Sequence, residues 1–207
     1  MKRTLTTLIL GLVVCSSFAQ GTLTFNNSSL TLISTNSVEG GPPTGPTSSV
    51  LGSYFYAMFT APVSVTTYGG VNDANWTLRE TATNTAAASG GRLVGGQPPT
   101  ALPGGSTVNF IILGWEAHLG TSWAQALNNL NSPFLEFYWL GQSAIGMNAI
   151  FNDPAAAPVN GAFGTTGGPV VPGFVVNFNY GPNTPEPSCL VISGLGAALL
   201  LLNRRRK

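Results

Sequence analysis

Charge is scarce in this chain of 207 residues. Asp, Glu, Lys and Arg make up 7%, where an average soluble domain carries roughly 25%. Low charge together with 43% apolar residues excludes disorder of the kind that combines low hydrophobicity with high net charge. There are two cysteines, Cys15 and Cys189, and a single histidine, His118. No glycine recurs at every third position, which excludes a collagen helix. Nor does any internal repeat of fixed period appear, and the length suits one domain.

The two ends carry the most specific patterns. Lys2 and Arg3 precede an apolar stretch from Leu5 to Val14, and Ser17-Phe18-Ala19 places small residues three and one before Gln20. These are the three parts of an export signal, with cleavage expected between Ala19 and Gln20. A lipoprotein signal at Cys15 fits less well, because Val14 stands where a small residue belongs, and a buried N-terminal helix fits worse still. At the other end, Pro185-Glu186-Pro187 leads into the uncharged run Ser188 to Leu202, then Asn203 and Arg204-Arg205-Arg206-Lys207. As a helix, that run reaches about 22 Å at 1.5 Å per residue, against a hydrocarbon core of about 30 Å. Thinning of the bilayer and snorkelling arginines can cover the difference. Basic residues at both ends place both ends inside and residues 20–184 outside.

This tripartite tail resembles the PEP-CTERM sorting signal of bacterial envelope proteins over about 23 residues. The resemblance implies partners: the export machinery and signal peptidase, then an exosortase-like enzyme that cleaves near Pro185-Glu186-Pro187. It implies retention in the inner membrane through the C-terminal helix, held by Arg204, Arg205 and Arg206. Transfer to the cell surface or an extracellular matrix follows, often in a polysaccharide-rich setting. A sortase tail would need Leu-Pro-x-Thr-Gly, and a eukaryotic lipid-anchor tail would need a free apolar end; a plain tail anchor is the simpler alternative. The expected organisation is a signal peptide at 1–19, an exported domain at 20–184 and a sorting and anchor segment at 185–207.

Removing both ends changes the chemistry of what remains. The middle segment has no cysteine, so disulfides, thiolate–zinc sites and thiol catalysis are excluded from it. Six of the eight basic residues lie in the ends. Arg79 and Arg92 then face Glu39, Asp73, Glu80, Glu116, Glu136 and Asp153, a net charge of −4. Two isolated arginines cannot neutralise a run of phosphates, which argues against nucleic-acid binding.

Within residues 20–184, short β-rich runs alternate with Gly, Pro, Asn and Thr. Strands are expected at Thr22–Phe25, Ser29–Ile33, Tyr54–Phe59, Trp76–Thr81, Val108–Trp115, Phe134–Leu140, Ile145–Phe151 and Phe174–Tyr180. Tyr54–Phe59 is apolar on both faces and reads as a central strand. Residues 39–49 and 86–105 read as loops. One helix is expected at Ser122–Leu130, capped by Thr121 or Ser122 and stopped by Pro133. The fold class is therefore all-β, an antiparallel β-sandwich or jelly-roll-like domain with one short helix, a cleavable N-terminal signal and a single C-terminal transmembrane helix.

No catalytic, cofactor or metal residues are assigned. Gly120-Thr121-Ser122-Trp123-Ala124 and Gly141-Gln142-Ser143-Ala144-Ile145 both lack the closing glycine of a nucleophile elbow near His118. Glu116 and Glu136 are the one carboxylate pair near core strands that could serve glycoside hydrolysis. Asn72-Asp73 and Asn152-Asp153 read as turns more readily than as calcium ligands. Gly194-Leu195-Gly196 belongs to the tail and follows no strand, so it is not a phosphate loop. Trp76, Trp115, Trp123, Trp139, Tyr54, Tyr56 and Tyr138 either build the core or supply a sugar-stacking platform, with the core favoured. The leading functional expectation is a non-enzymatic protein of the cell surface or extracellular matrix. A carbohydrate-binding module for extracellular polysaccharide is the alternative, and a hydrolase the third.

Overall fold

The computed structural model describes residues 20–88, 90–97, 99–153, 160–165 and 168–181. The expected signal at 1–19, including Ala19, lies outside these residues. So do Pro185, Glu186, Pro187, Ser188–Leu202 and Arg204–Lys207. Among the described residues no helix is long and apolar enough to cross a membrane.

The protein is all-β with a single short α-helix. In chain order the strands are β1 Gln20–Thr22, β2 Ser34–Thr35, β3 Gly45–Pro46, β4 Tyr54–Ala61, β5 Thr77–Asn84, β6 Leu93–Val94, β7 Pro99–Pro103, β8 Ser106–Glu116, β9 Phe137–Gln142, β10 Gly146–Phe151 and β11 Val175–Tyr180. A 3-10 turn at Ala117–Leu119 precedes helix α1, Trp123–Leu130. The main sheet runs β3-β2-β11-β9-β8-β4-β5-β6, with β10 also on β8, and β1 pairs β7 in a separate two-stranded ribbon. Pairing is antiparallel except for β2 and β11, which run parallel through Val175↔Ser34 and Val176↔Thr35.

The pair β4–β8 is the spine. Eight residues of β4, from Tyr54 to Ala61, oppose eight of β8, from Glu116 to Asn109, without a break. Because side chains alternate across a strand, their apolar runs feed two cores. Tyr54, Tyr56, Met58, Phe110 and Ile112 pack on one face with Leu23, Phe25, Ile33, Phe151 and Phe174. Ala57, Phe59, Ile111, Leu113 and Trp115 pack on the other with Trp76, Leu119, Trp123 and Ala126. A strand buried on both sides has no polar alternation, which is why these two segments read as continuous hydrophobic runs.

Helix α1 starts where Ser122 accepts a hydrogen bond from Gln125 N–H, while Gln125 Oε1 accepts from Thr121 N–H at 2.9 Å. Its buried side is Trp123 and Ala126. The Trp123 ring meets Phe59 edge-on at 5.1 Å and Trp115 at 5.5 Å, and the Trp115 indole donates to Gly120 O.

Four regions differ from the reading of the sequence. The stretch 86–105 holds β6 and β7 as well as loops; prolines at both ends of β7 disguise a short edge strand. The stretch 39–49 likewise contains β3. Ser29–Ile33 begins as a turn, with Thr31 N–H donating to Ser28 O and Thr31 Oγ1 accepting from Ser28 N–H, so that only Ser34–Thr35 joins the sheet. Phe134 lies before β9, which begins at Phe137, and is highly exposed.

Buried asparagines tie the loops to this frame. Asn109 Nδ2 donates to Val63 O and Val65 O, and its Oδ1 accepts from Asn148 N–H. Asn84 Nδ2 donates to Ser48 O and Val50 O while its Oδ1 accepts from Tyr54 N–H. Asn27 donates to Thr31 O and Gly91 O and accepts from Leu93 N–H. Asn36 donates to Gly41 O and accepts from Phe178 N–H. Each side chain carries a donor and an acceptor group, which lets one residue satisfy several backbone groups that lie outside any ladder.

β6 covers β5 at Thr83 and Asn84, leaving Thr77–Thr81 without a ladder partner on that side among the described residues. There the Glu80 carboxylate accepts the Thr81 N–H at 3.0 Å. A charged side chain that occupies an edge donor hinders another strand from docking. Glu80→Thr is expected to raise self-association in sedimentation velocity with the melting temperature little changed. Glu80→Gln keeps an acceptor and should raise it less; equal behaviour of both variants and the parent would contradict this role.

Candidate functional site

Of the residues considered for chemistry, His118 and Glu116 lie near each other at the end of β8, while Ser143 and Ser122 hold backbone groups. His118 is exposed in the 3-10 turn, its ring 5.3 Å from that of Phe137. The Ser143 hydroxyl is buried and accepts from Ile112 N–H, while Ser143 N–H donates to Ile112 O. It bridges the gap between β9 and β10 along the β8 edge, so it is engaged with backbone rather than poised as a nucleophile. Ser122 is the helix cap.

Glu116 faces Tyr54 across the β4–β8 pair. Burial raises its carboxyl above the usual range, with nearby His118 opposing the shift. Glu136 is exposed just before β9, where its backbone carbonyl accepts from Gly181 N–H. Asp73 closes a turn by accepting from Gly69 N–H and Asn75 N–H, and these bonds hold its carboxyl below the usual range. Among the described residues no three His, Cys, Asp or Glu side chains gather as a metal site.

The aromatic residues divide cleanly. Trp76, Trp115 and Trp123 are core, as are Tyr54 and Tyr56. Trp139 is half-buried, its indole donating to Asn36 O. It belongs to a strip in which Phe137, Trp139, Phe178 and Tyr180 share one face of β9 and β11 through the pairs Phe178↔Trp139 and Tyr180↔Phe137. These rings pack mostly edge-to-face on one another, with centroids 4.9 Å apart for Trp139 and Phe178. Edges turned into faces leave little flat platform.

On the opposite face lies a cleft of about 430 Å³ between the loop 62–76 and strands β9 and β11. Tyr68 and Val71 line it from the loop, Tyr138, Leu140 and Gln142 from β9, and Asn177 and Asn179 from β11. Strand alternation puts Tyr138, Leu140, Asn177 and Asn179 on this side because Phe137, Trp139 and Phe178 take the other. β9 and β11 approach closely at its floor: a Cβ on Gly141 would run into Val175 O, so only glycine fits.

The loop that forms the second wall is fixed at three points. Asn109 holds Val63 and Val65, the Trp76 indole donates to Thr67 O at 3.1 Å, and Asp73 ties Gly69 to Asn75. Tyr68 meets Trp76 edge-on at 5.9 Å. Burial, and then the Asp73 charge, push the Tyr68 phenol up to about 12. Burial and the Glu39 charge raise Tyr138 in the same way. Both phenols stay protonated at any physiological pH, so the cleft presents hydroxyls and amides. The sequence reading included Tyr138 but missed Tyr68, Gln142, Asn177 and Asn179, because neither wall has a recognisable motif and the loop lies some seventy residues from β9.

No family model, curated protein or solved structure matches the chain. The site is therefore read from its own geometry.

Tyr54 is likewise pushed up to about 12, by burial and by Glu116, and burial raises Tyr56 further. A phenol of pKa near 10 unfolded and near 12 folded stabilises the fold fully below pH 10. That contribution is lost as pH rises through 12. The urea midpoint is expected to be level between pH 8 and 9.5 and to fall between pH 10 and 12, with phenolate absorbance rising in step. A midpoint independent of pH up to 12 would contradict the burial assigned to these tyrosines.

Proposed function

We propose that this chain is an exported protein of the cell surface or extracellular matrix that binds or assembles there rather than catalysing a reaction. The observation that carries the reading is the tail, in which Pro185-Glu186-Pro187, an uncharged run and Arg204–Lys207 follow one another in the order of a PEP-CTERM signal. In this reading signal peptidase cuts between Ala19 and Gln20, the C-terminal helix holds the protein in the inner membrane with the arginines inside, and an exosortase-like enzyme cuts near the Pro-Glu-Pro. The described fold is compatible with both cuts. Gln20 opens β1, where Gln20↔Pro103 and Thr22↔Pro99 pair, so cleavage before it leaves the ribbon whole. The last described strand ends at Tyr180, before the second cut.

The all-β core, its two layers of packing and its low charge support a sandwich-like display domain. Asn, Thr, Ser and Gly outside the core offer neutral hydrogen-bonding surface to polymers or to like copies. The Ser143 hydroxyl is engaged with the Ile112 N–H and Ser122 caps the helix, which supports a binding role over serine-based hydrolysis.

The two parts of the tail have separable jobs. The arginines fix orientation, because carrying them across hydrocarbon is costly, whereas the Pro-Glu-Pro serves only the processing enzyme. With an epitope placed after Gln20, fractionation of the native host is expected to find the parent released with Gln20 as first residue. Deleting residues 188–207 should give direct release, and replacing Pro185, Glu186 and Pro187 by alanine should trap an uncut protein in the membrane. Release of the triple-alanine protein as efficient as that of the parent would overturn the sorting reading.

A further inference from the structure

We infer that the cleft between Tyr68 and Tyr138 is a binding site for a neutral carbohydrate chain. Its size lies within the usual range for ligand sites, about 300–1,000 Å³. The lining chemistry narrows the ligand. Two tyrosines, one on each wall, offer aromatic surface suited to the C–H faces of sugar rings, and Leu140 adds an apolar floor. Gln142, Asn177 and Asn179 supply primary amides, which donate and accept at once as a hydroxyl-rich ligand requires.

The amides keep capacity for a ligand. Asn179 Nδ2 spends one bond on Asn177 O at 2.7 Å; Asn177 Nδ2 spends one on Val175 O at 3.3 Å, and its Oδ1 accepts one from Asn36 Nδ2 at 3.0 Å. Each NH₂ has a second proton, and the same bonds hold both side chains along β11. Gln142 is exposed at the cleft's edge.

Charge argues against ionic ligands. Among the described residues no lysine, arginine or histidine lines the cleft, while Asp73 and Glu39 lie close enough to raise the pKa of Tyr68 and Tyr138. A phosphate, sulfate or uronate would meet negative potential with no cation to offset it. A cation would find no carboxylate among the lining residues. The amide and tyrosine lining then points to an uncharged ligand with many hydroxyls. The loop wall is held in place beforehand by Asn109, Asp73 and Trp76, so little ordering is needed on binding.

This inference does not depend on the sorting signal: retention and release could fail their test with the cleft unaffected. The experiment is affinity electrophoresis of the full chain through gels containing dextran, mannan, xylan or mixed-linkage β-glucan, with alginate and polygalacturonate as anionic counterparts. Retardation by at least one neutral polymer is expected, and by neither anionic one. Against the retarding polymer, Gln142→Ala and Tyr68→Ala should each weaken binding about tenfold or more, while Tyr180→Ala, on the opposite face, should bind like the parent. If Tyr68→Ala lowers the melting temperature, Gln142→Ala alone decides, since its side chain is exposed. No retardation by any neutral polymer, equal retardation by the anionic ones, undiminished binding by Gln142→Ala, or loss through Tyr180→Ala would each overturn the inference.

Discussion

Buried asparagine amides are the constraint on which this structure depends. Residues 20–184 have no cysteine for staples and few charges for ion pairs, yet they must fix long Gly- and Pro-rich loops against a sheet. Asn27, Asn36, Asn84 and Asn109 do this, with side chains between 0% and 4% exposed. Each joins at least one backbone carbonyl to a backbone N–H elsewhere in the chain. A net bond adds only about 1 kcal/mol, but leaving such buried groups unmade costs about 1–3 kcal/mol apiece. The loops are thereby committed to one position, a form of specificity that apolar burial, being non-directional, does not provide.

That commitment has a functional side. Asn109 is in the middle of β8, yet its amide reaches Val63 and Val65 and sets the base of the loop that carries Tyr68. On the other strand of the cleft, Asn36 accepts from Phe178 N–H and donates to Asn177 Oδ1, fixing the register in which Asn177 and Asn179 face the groove. The same chemistry that holds the fold thus shapes a neutral, amide-lined recess. The placement of the loops and the shape of the cleft draw on one set of groups, and neither needs charge.

How much of this was legible in the sequence follows from the same physics. Tyr54–Phe59 and Val108–Trp115 could be read because burial on both faces removes polar alternation, and their extension to Ala61 and Ser106–Glu116 adds only Ala61 to the hydrophobic core. Helix α1 could be read from the Ser122 cap and the spacing of Trp123, Ala126, Leu127 and Leu130. The ribbon β1–β7 could not, because it joins segments about eighty residues apart through a strand bounded by prolines. Buried asparagines were hidden for a different reason: Asn in a Gly-rich stretch looks like turn chemistry whether it faces solvent or core. Asn148 shows the ordinary case, adopting φ 56° at an irregularity in β10. The cleft was invisible because its walls come from a loop and two strands that only the sheet order brings together.

The central claim is that buried amides, more than any covalent or ionic tie, hold the loops. Its most direct test is equilibrium urea unfolding of Asn109→Ala beside Asn128→Ala, a matched change at an exposed helix position. Asn109→Ala should lose about 2–4 kcal/mol, because Val63 O, Val65 O and Asn148 N–H lose their partner together. Asn128→Ala should stay within about 0.5 kcal/mol of the parent. An Asn109→Ala protein as stable as Asn128→Ala would contradict the account.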